Sequence, residues 1–149
     1  MKLNELSPSE VFSYFEKICS IPHGSGNTGM IADYCLEFAK LHGLKARKDT
    51  SDNVVIFKAG SSGYEDREPV ILQGHLDMVC EKEPDSDIDM SVQSIKACTD
   101  GKMVWADGTT LGADDGIAVA FILAVLASDT IAHPPIQAVL TSDEEIGML

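Results

Sequence analysis

His75 and Asp77 lie two residues apart, directly after a short apolar run at 70–72. The run predicts a buried strand that stops at Gly74, where the backbone can turn or make room for a neighbour. Side chains two positions apart in extended backbone point the same way, so Asp77 can accept a hydrogen bond from one ring nitrogen of His75. The other nitrogen would then be free for a metal. The same pattern also fits an ordinary contact at a strand end, so the motif needs support from elsewhere in the chain.

Asp114 and Asp115 form a second candidate site, between Gly112 and Gly116 and ahead of a long apolar stretch. An aspartate at the start of a helix is common and mildly stabilising, and this explains one of the two. Two aspartates in succession, flanked by glycines, favour a carboxylate that is held in unusual backbone beside a ligand.

The segment 143–145 adds three carboxylates directly after an apolar strand. A solvated turn would explain them equally well. Two adjacent glutamates, Glu144 and Glu145, can however divide the work, one binding a metal and the other acting as general base on metal-bound water. Nitrogen and oxygen ligands without a thiolate suit Zn²⁺, with Co²⁺ or Mn²⁺ as substitutes. A bridging carboxylate would suit a two-metal site.

Two helices are predicted in the first third of the chain. The first begins with Ser7 as N-cap, Pro8 in the first turn and Glu10 completing a capping box. The second covers 28–42 and ends at Gly43, a residue that suits the left-handed backbone after a helix.

Strands and one further helix fill the rest of the chain. Asp100-Gly101 predicts a hairpin with a type I′ turn. The segment 115–128 is apolar nearly all round, which predicts a helix buried inside a larger protein. The alternation predicts an α/β fold with a mixed sheet flanked by helices, in which sites gather at the carboxyl ends of strands. The predicted strands are 44–48, 54–58, 69–73, 95–99, 102–105 and 136–140.

Composition and charge exclude several classes of function. The 149 residues are 44% hydrophobic and 23% charged, which indicates a soluble globular domain. A net charge of −13 argues against binding to nucleic acid or to acidic phospholipid. No apolar run reaches the roughly 18 residues that a membrane span needs.

The cysteines and the first residues predict a cytoplasmic location. Cys19, Cys35, Cys80 and Cys98 are far apart and show no Cys-x-x-Cys spacing, so free thiols are expected. The segment 1–5 lacks the apolar core of a secretory signal peptide.

Three segments, 74–79, 108–116 and 141–148, read GHLDMV, GTTLGADDG and TSDEEIGM. In this order they resemble the motifs of the M20 family of zinc aminopeptidases, carboxypeptidases and deacylases. They are most similar to its aminoacyl-histidine dipeptidase branch, also called peptidase D or Xaa-His dipeptidase. The segments 6–8 and 18–23 are similar to that branch as well, so the resemblance spans essentially the whole chain.

The resemblance implies a role for each candidate residue of a site with two Zn²⁺ ions. His75 would bind one zinc and Asp77 would orient His75. Asp114 would bridge both ions, with a cis peptide bond after it. Glu145 would bind the second zinc, and Glu144 would be the general base that activates water for attack on a peptide carbonyl.

Members of this family are considerably longer, and their motifs include a further Asp and a His downstream that complete the two metal sites. The resemblance therefore implies that residues 1–149 are the N-terminal portion of a zinc-peptidase-like catalytic domain, without a lid or dimerisation domain. Such a fragment would be inactive alone, whereas the full-length protein would be a homodimer.

The resulting hypothesis is metal-dependent hydrolysis of dipeptides of the Xaa-His type, with no nucleic-acid or membrane partner. Two alternatives remain open. One is another M20 activity, such as a tripeptidase or an N-acyl amino acid deacylase. The other is a non-catalytic binding module of the same fold. The presence of both Asp114 and Glu144 argues against it, because a binding module needs no general base.

Overall fold

A four-stranded mixed sheet with helices packed on it forms the α/β fold of the computed structural model, which describes residues 2–148. The fold class is the one that the sequence predicts. Short 3₁₀ turns cover Leu3–Glu5 and Glu144–Ile146. In chain order the longer elements are α1 (Ser9–Cys19), α2 (Gly29–Leu41), β1 (Lys45–Lys48), β2 (Val54–Lys58), β3 (Val70–His75), β4 (Ala97–Thr99), β5 (Val104–Ala106), α3 (Ala113–Ala127) and β6 (Ile136–Thr141).

The sheet has the strand order β1-β2-β6-β3. Strand β6 runs antiparallel to β2 and parallel to β3, and the register places His75 opposite Thr141. Because β3 and β6 are parallel, their carboxyl ends meet at one edge of the sheet. His75 and the segment 143–145 therefore emerge side by side, as the sequence predicts.

The core lies on one face of the two middle strands. Val54 and Ile56 of β2 are fully buried, and so are their register partners Leu140 and Ala138 of β6. Helix α2 packs on β1 and β2, α3 packs on β3, and α1 packs on α3. The alternation of buried and half-buried positions along β6 is that of a strand with one deeply buried face.

Helix α2 ends as its sequence indicates. Gly43 has a φ of 66°, and its N–H donates to the carbonyl of Lys40, while the N–H of Leu44 donates to the carbonyl of Ala39. This pair of hydrogen bonds is the Schellman motif, which satisfies the last carbonyls of a helix.

The predicted start of α1 is wrong by one position. Pro8 has a ψ of 129°, which is extended backbone, so Pro8 and not Ser7 occupies the N-cap position. The carbonyl of Pro8 accepts the first helical hydrogen bond, from the N–H of Phe12. No side chain caps the helix, and the capping box with Glu10 is absent.

Strand β3 does not stop at Gly74, as predicted, but continues to His75. Gly74 makes room for a neighbouring element and does not turn the chain. A Cβ at this position would lie 3.0 Å from the Asp115 carboxylate and 3.4 Å from Val119, so its absence lets α3 approach the strand. The prediction that the run at 70–72 is buried is wrong. Ile71 is 65% exposed because β3 is an edge strand of this sheet.

The predicted hairpin is present, but its turn is not type I′. Thr99 pairs with Val104, which leaves four residues in the loop. Gly101 has a φ of 92°, whereas Asp100 does not have the positive φ that a type I′ turn requires. The Asp100 carboxylate instead accepts hydrogen bonds of 2.8 Å from the N–H groups of Lys102 and Met103.

All four cysteines are unpaired, as expected. Among the residues that the structure describes, no helix combines the length and the apolar character that crossing a membrane requires.

Leu123 of α3 has no exposed surface, so Leu123→Ala should leave a cavity in the core. We expect the free energy of unfolding, measured by urea denaturation, to fall by about 2–5 kcal/mol. The matched control is Leu41→Ala in α2, because Leu41 is 82% exposed. Its effect should stay within about 0.5 kcal/mol. Equal losses in the two variants would contradict the described core.

Candidate metal centre

His75 lies at the centre of a cluster of carboxylates. Its Nε2 atom is 3.1 Å from an oxygen of Asp114 and 3.9 Å from an oxygen of Glu144. His75, Asp114 and Glu145 each offer a ligand atom within 4.8 Å of the others. Four of the five candidate residues thus converge, and the fifth, the buried Asp77, contacts His75 and the backbone of Glu144 and Glu145.

Three elements that are distant in sequence bring these side chains together. His75 is the last residue of β3, Asp114 belongs to the first turn of α3, and Glu144 and Glu145 form the 3₁₀ turn after β6. The histidine is buried, whereas the carboxylates of Asp114 and Glu144 are open to solvent. The cluster is therefore accessible from one side and anchored on the other.

The backbone around Asp114 is irregular, as the paired aspartates and flanking glycines indicate. Asp114 has non-helical φ and ψ angles of −89° and 109°, and the Asp114–Asp115 peptide bond is cis. Gly112 has a left-handed φ of 69°, Asp115 is also non-helical, and no side-chain hydrogen bond caps the helix. The helix-cap explanation therefore does not apply to Asp114, whose carboxylate faces His75.

Asp115 has a separate role that sequence reasoning missed. Its carboxylate accepts a 3.2 Å hydrogen bond from the backbone N–H of His75. This contact ties the end of β3 to the start of α3. The two adjacent aspartates thus divide the work, since Asp115 holds the backbone of the histidine and Asp114 faces its ring.

The ring of His75 is oriented by Asp77, but through the backbone. Nδ1 lies 3.0 Å from the carbonyl oxygen of Asp77 and 3.4 Å from its carboxylate, so the closer acceptor is the carbonyl and not the predicted carboxylate. A proton on Nδ1 that is donated to this carbonyl leaves the lone pair of Nε2 directed at the open side of the cluster.

The Asp77 carboxylate is occupied by three other donors. It accepts hydrogen bonds from the Ser25 hydroxyl at 2.7 Å and from the backbone N–H groups of Glu144 at 2.9 Å and Glu145 at 3.3 Å. Burial raises the pKa of this carboxyl, but the donated hydrogen bonds lower it more, so the net pKa lies below its usual value. Asp77 is therefore a buried anion that holds the backbone of both glutamates.

The surroundings of His75 favour a cation. Burial lowers the pKa of its imidazole, but the hydrogen bond to the Asp77 carbonyl, the contact with Asp114 and the charges of Asp77 and Asp115 raise it, and the net pKa lies above its usual value. The same negative potential that retains a proton on the ring would attract a metal ion to the cluster.

The loop at 23–27 forms hydrogen bonds with two segments of the site, the one that follows β3 and the one that follows β6. Gly26 donates its N–H to the Asp143 carboxylate at 2.7 Å, and Ser25 donates its N–H to the Met78 carbonyl in addition to its hydroxyl bond to Asp77. The supporting roles of Ser25 and Asp143 were not predicted. No local pattern indicates them, because the contacts span 52 and 117 positions.

The donor set fits a zinc ion. One imidazole and carboxylate oxygens without a thiolate are ligands that Zn²⁺ accepts, and about three protein ligands are usual in a catalytic zinc site. His133 is not one of the clustered residues, and its Nδ1 lies 2.8 Å from the carbonyl oxygen of Pro134.

Comparison with known proteins supports the resemblance of the motifs. No family model matches the chain. The chain is 44% identical over 147 residues to the cytosol non-specific dipeptidase of Escherichia coli strain K12, an alignment that covers 99% of this chain.

Solved structures give the same result. The aminoacylhistidine dipeptidase from Vibrio alginolyticus superimposes with a TM-score of 0.96 and 45% identity over 99% of this chain. A tripeptidase from Staphylococcus aureus follows with a TM-score of 0.75 and 25% identity over 95% of this chain and 38% of its own length. The chain spans about 30% of the length of each dipeptidase. Over nearly its whole length the chain is therefore similar to one part of these dipeptidases, as its three motifs indicate.

Proposed function

We propose that this chain carries part of the active site of a cytosolic, zinc-dependent dipeptidase that hydrolyses dipeptides of the Xaa-His type. The observation that carries the proposal is the convergence of His75, Asp114 and Glu145 within 4.8 Å, with Glu144 beside them. The match to two dipeptidases over 99% of the chain supports the reaction class.

His75, Asp114 and Glu145 are the proposed zinc ligands, with Asp114 shared between two ions. A bound Zn²⁺ would polarise the scissile carbonyl and lower the pKa of a water molecule. The remaining ligands, and a homodimer, would involve the part of the relatives' length that this chain does not span.

Glu144 is the proposed general base. Its carboxylate is 46% exposed, so it can reach a substrate, and it approaches His75 without being one of the three clustered ligands. The carboxylate would take a proton from the attacking water and return it to the leaving amine. Asp77 contributes by holding the N–H groups of Glu144 and Glu145, which keeps both glutamates at the edge of the sheet.

The charge of the chain agrees with a small cationic group on the substrate. A net charge of −13, with acidic side chains around the site, attracts the free amino group of a peptide and repels anionic polymers. Nucleic acid and anionic membranes are accordingly not proposed as partners.

Tripeptide hydrolysis is the second candidate, because the tripeptidase from Staphylococcus aureus shares the fold and 25% identity. The higher identity of about 45% to the dipeptidases favours the first. Assays of the full-length protein with Xaa-His dipeptides, tripeptides and N-acetyl amino acids separate these activities. Dipeptide hydrolysis should stop on treatment with a chelator and return with Zn²⁺. A protein that retains full activity without metal would contradict the proposal.

Glu144→Gln should abolish most activity and leave the zinc content unchanged, because the amide keeps the size of the side chain but cannot accept a proton. We expect kcat to fall by roughly 10²–10⁴ in the full-length protein. Glu145→Gln is the matched comparison and should lose zinc, as metal analysis would show. Loss of zinc from the first variant and retention in the second would mean that the two roles are reversed.

Asp77→Asn should weaken zinc binding by about 10–100-fold, because Asp77 holds the proposed ligands in place without being a ligand itself. Competition with a chelator measures this affinity. His75→Ala should have a larger effect. The control is Asp107→Asn, because Asp107 is 59% exposed and paired with Lys96. If Asp77→Asn and His75→Ala were equally damaging, Asp77 would have to be a direct ligand.

A further inference from the structure

A cavity of about 450 Å³ lies beside the metal centre. Glu145, one of the three clustered ligands, forms part of its wall. Its volume falls within the roughly 300–1,000 Å³ that is typical of small-molecule sites. The cavity and the metal cluster are therefore neighbouring parts of one surface.

The rest of the wall is mainly apolar. Met78, Val79, Cys80, Met90 and Ile146 line the cavity. Val79 and Ile146 are 46% and 56% exposed, so these two side chains are not part of the core. Methionine side chains adapt to ligands of different shape. Glu81 and Glu145 add two carboxylates to this apolar wall, a combination that suits a ligand with both an apolar and a cationic part.

Backbone contacts join two of the segments that line the cavity. Gly24 forms a parallel bridge with Met78, and the N–H of Ser25 donates to the Met78 carbonyl at 3.2 Å. A Cβ at Gly24 would lie 2.6 Å from the Cys80 sulfur, so the glycine lets this wall stay close to the loop. The cavity is thus built into the same hydrogen-bonded loops that support Asp77.

The size of a dipeptide places this cavity within its reach. Two extended residues span about 7 Å. Because Glu145 belongs to the metal cluster and also lines the cavity, a dipeptide whose scissile carbonyl lies at the cluster would be close enough to place a side chain in the cavity. We propose that the cavity is a specificity subsite that accepts a large apolar side chain of a dipeptide substrate. This inference rests on the proposed function and adds the property of the substrate that the cavity selects.

Filling the cavity tests the proposal in the full-length protein. Val79→Phe should reduce kcat/KM for dipeptides with a large apolar side chain by at least about 10-fold more than for their Gly or Ala counterparts. Two series, Gly-His against Leu-His and Ala-Ala against Ala-Leu, identify which of the two side chains enters. Val92→Phe is the matched control, because Val92 is 70% exposed and does not line the cavity. An equal loss for all substrates, or no loss in either series, would overturn the subsite.

A variant that enlarges the cavity gives a second test, which remains available if Val79→Phe does not fold. Met90→Ala should raise the kcat/KM of Trp-His relative to Leu-His, since it removes apolar contacts from the smaller side chain and makes room for the larger one. A ratio that stays at the wild-type value would count against the proposal.

Cys80 provides a readout that is independent of catalysis. Its side chain lines the cavity and is exposed, whereas Cys98 lies outside it. Alkylation of each cysteine by iodoacetamide would be measured by peptide mass spectrometry. Leu-His should slow the alkylation of Cys80 and leave that of Cys98 unchanged, whereas Gly-Gly should protect neither cysteine. If the wild-type protein hydrolysed no dipeptide but showed this protection, the proposed function would fail and the subsite would stand. Hydrolysis without protection would overturn the subsite alone.

Discussion

The geometry of the site depends on the hydrogen bonds that the Asp77 carboxylate accepts. It is fully buried, and it accepts hydrogen bonds from Ser25, Glu144 and Glu145. A buried charge that loses its partners costs several kcal/mol, so the groups around it have little freedom to move away. Three segments of the chain are therefore held around one anion: the end of β3, the loop at 23–27 and the turn after β6.

The parallel pairing of β3 with β6 supplies the second constraint. It places His75 opposite Thr141, so that the histidine and the two glutamates leave the sheet at the same edge. Gly74 then allows α3 to approach, and Asp115 joins the helix to the backbone of His75. The candidate metal cluster and the apolar cavity are adjacent, because Glu145 contributes to the cluster and also lines the cavity.

Local patterns were enough to predict most elements and the chemical types at the site. Three features follow from residues that are close in sequence: the second helix with its glycine end, the strand at 136–140 and the irregular backbone at Asp114. Short sequence motifs are therefore enough to predict them. The convergence of His75 with Glu144 also followed, since both come directly after strands and parallel strands share an edge.

The sequence by itself therefore determined which groups could bind a metal and roughly where each lies along the strands and helices. Only the tertiary structure decided how they are supported, because those contacts join residues far apart in the chain. Ser25 reaches Asp77 across 52 positions, and this occupancy of the carboxylate leaves the Asp77 carbonyl as the closer acceptor for His75. The exposure of Ile71 was likewise set by the edge position of β3, which a run of apolar residues cannot reveal.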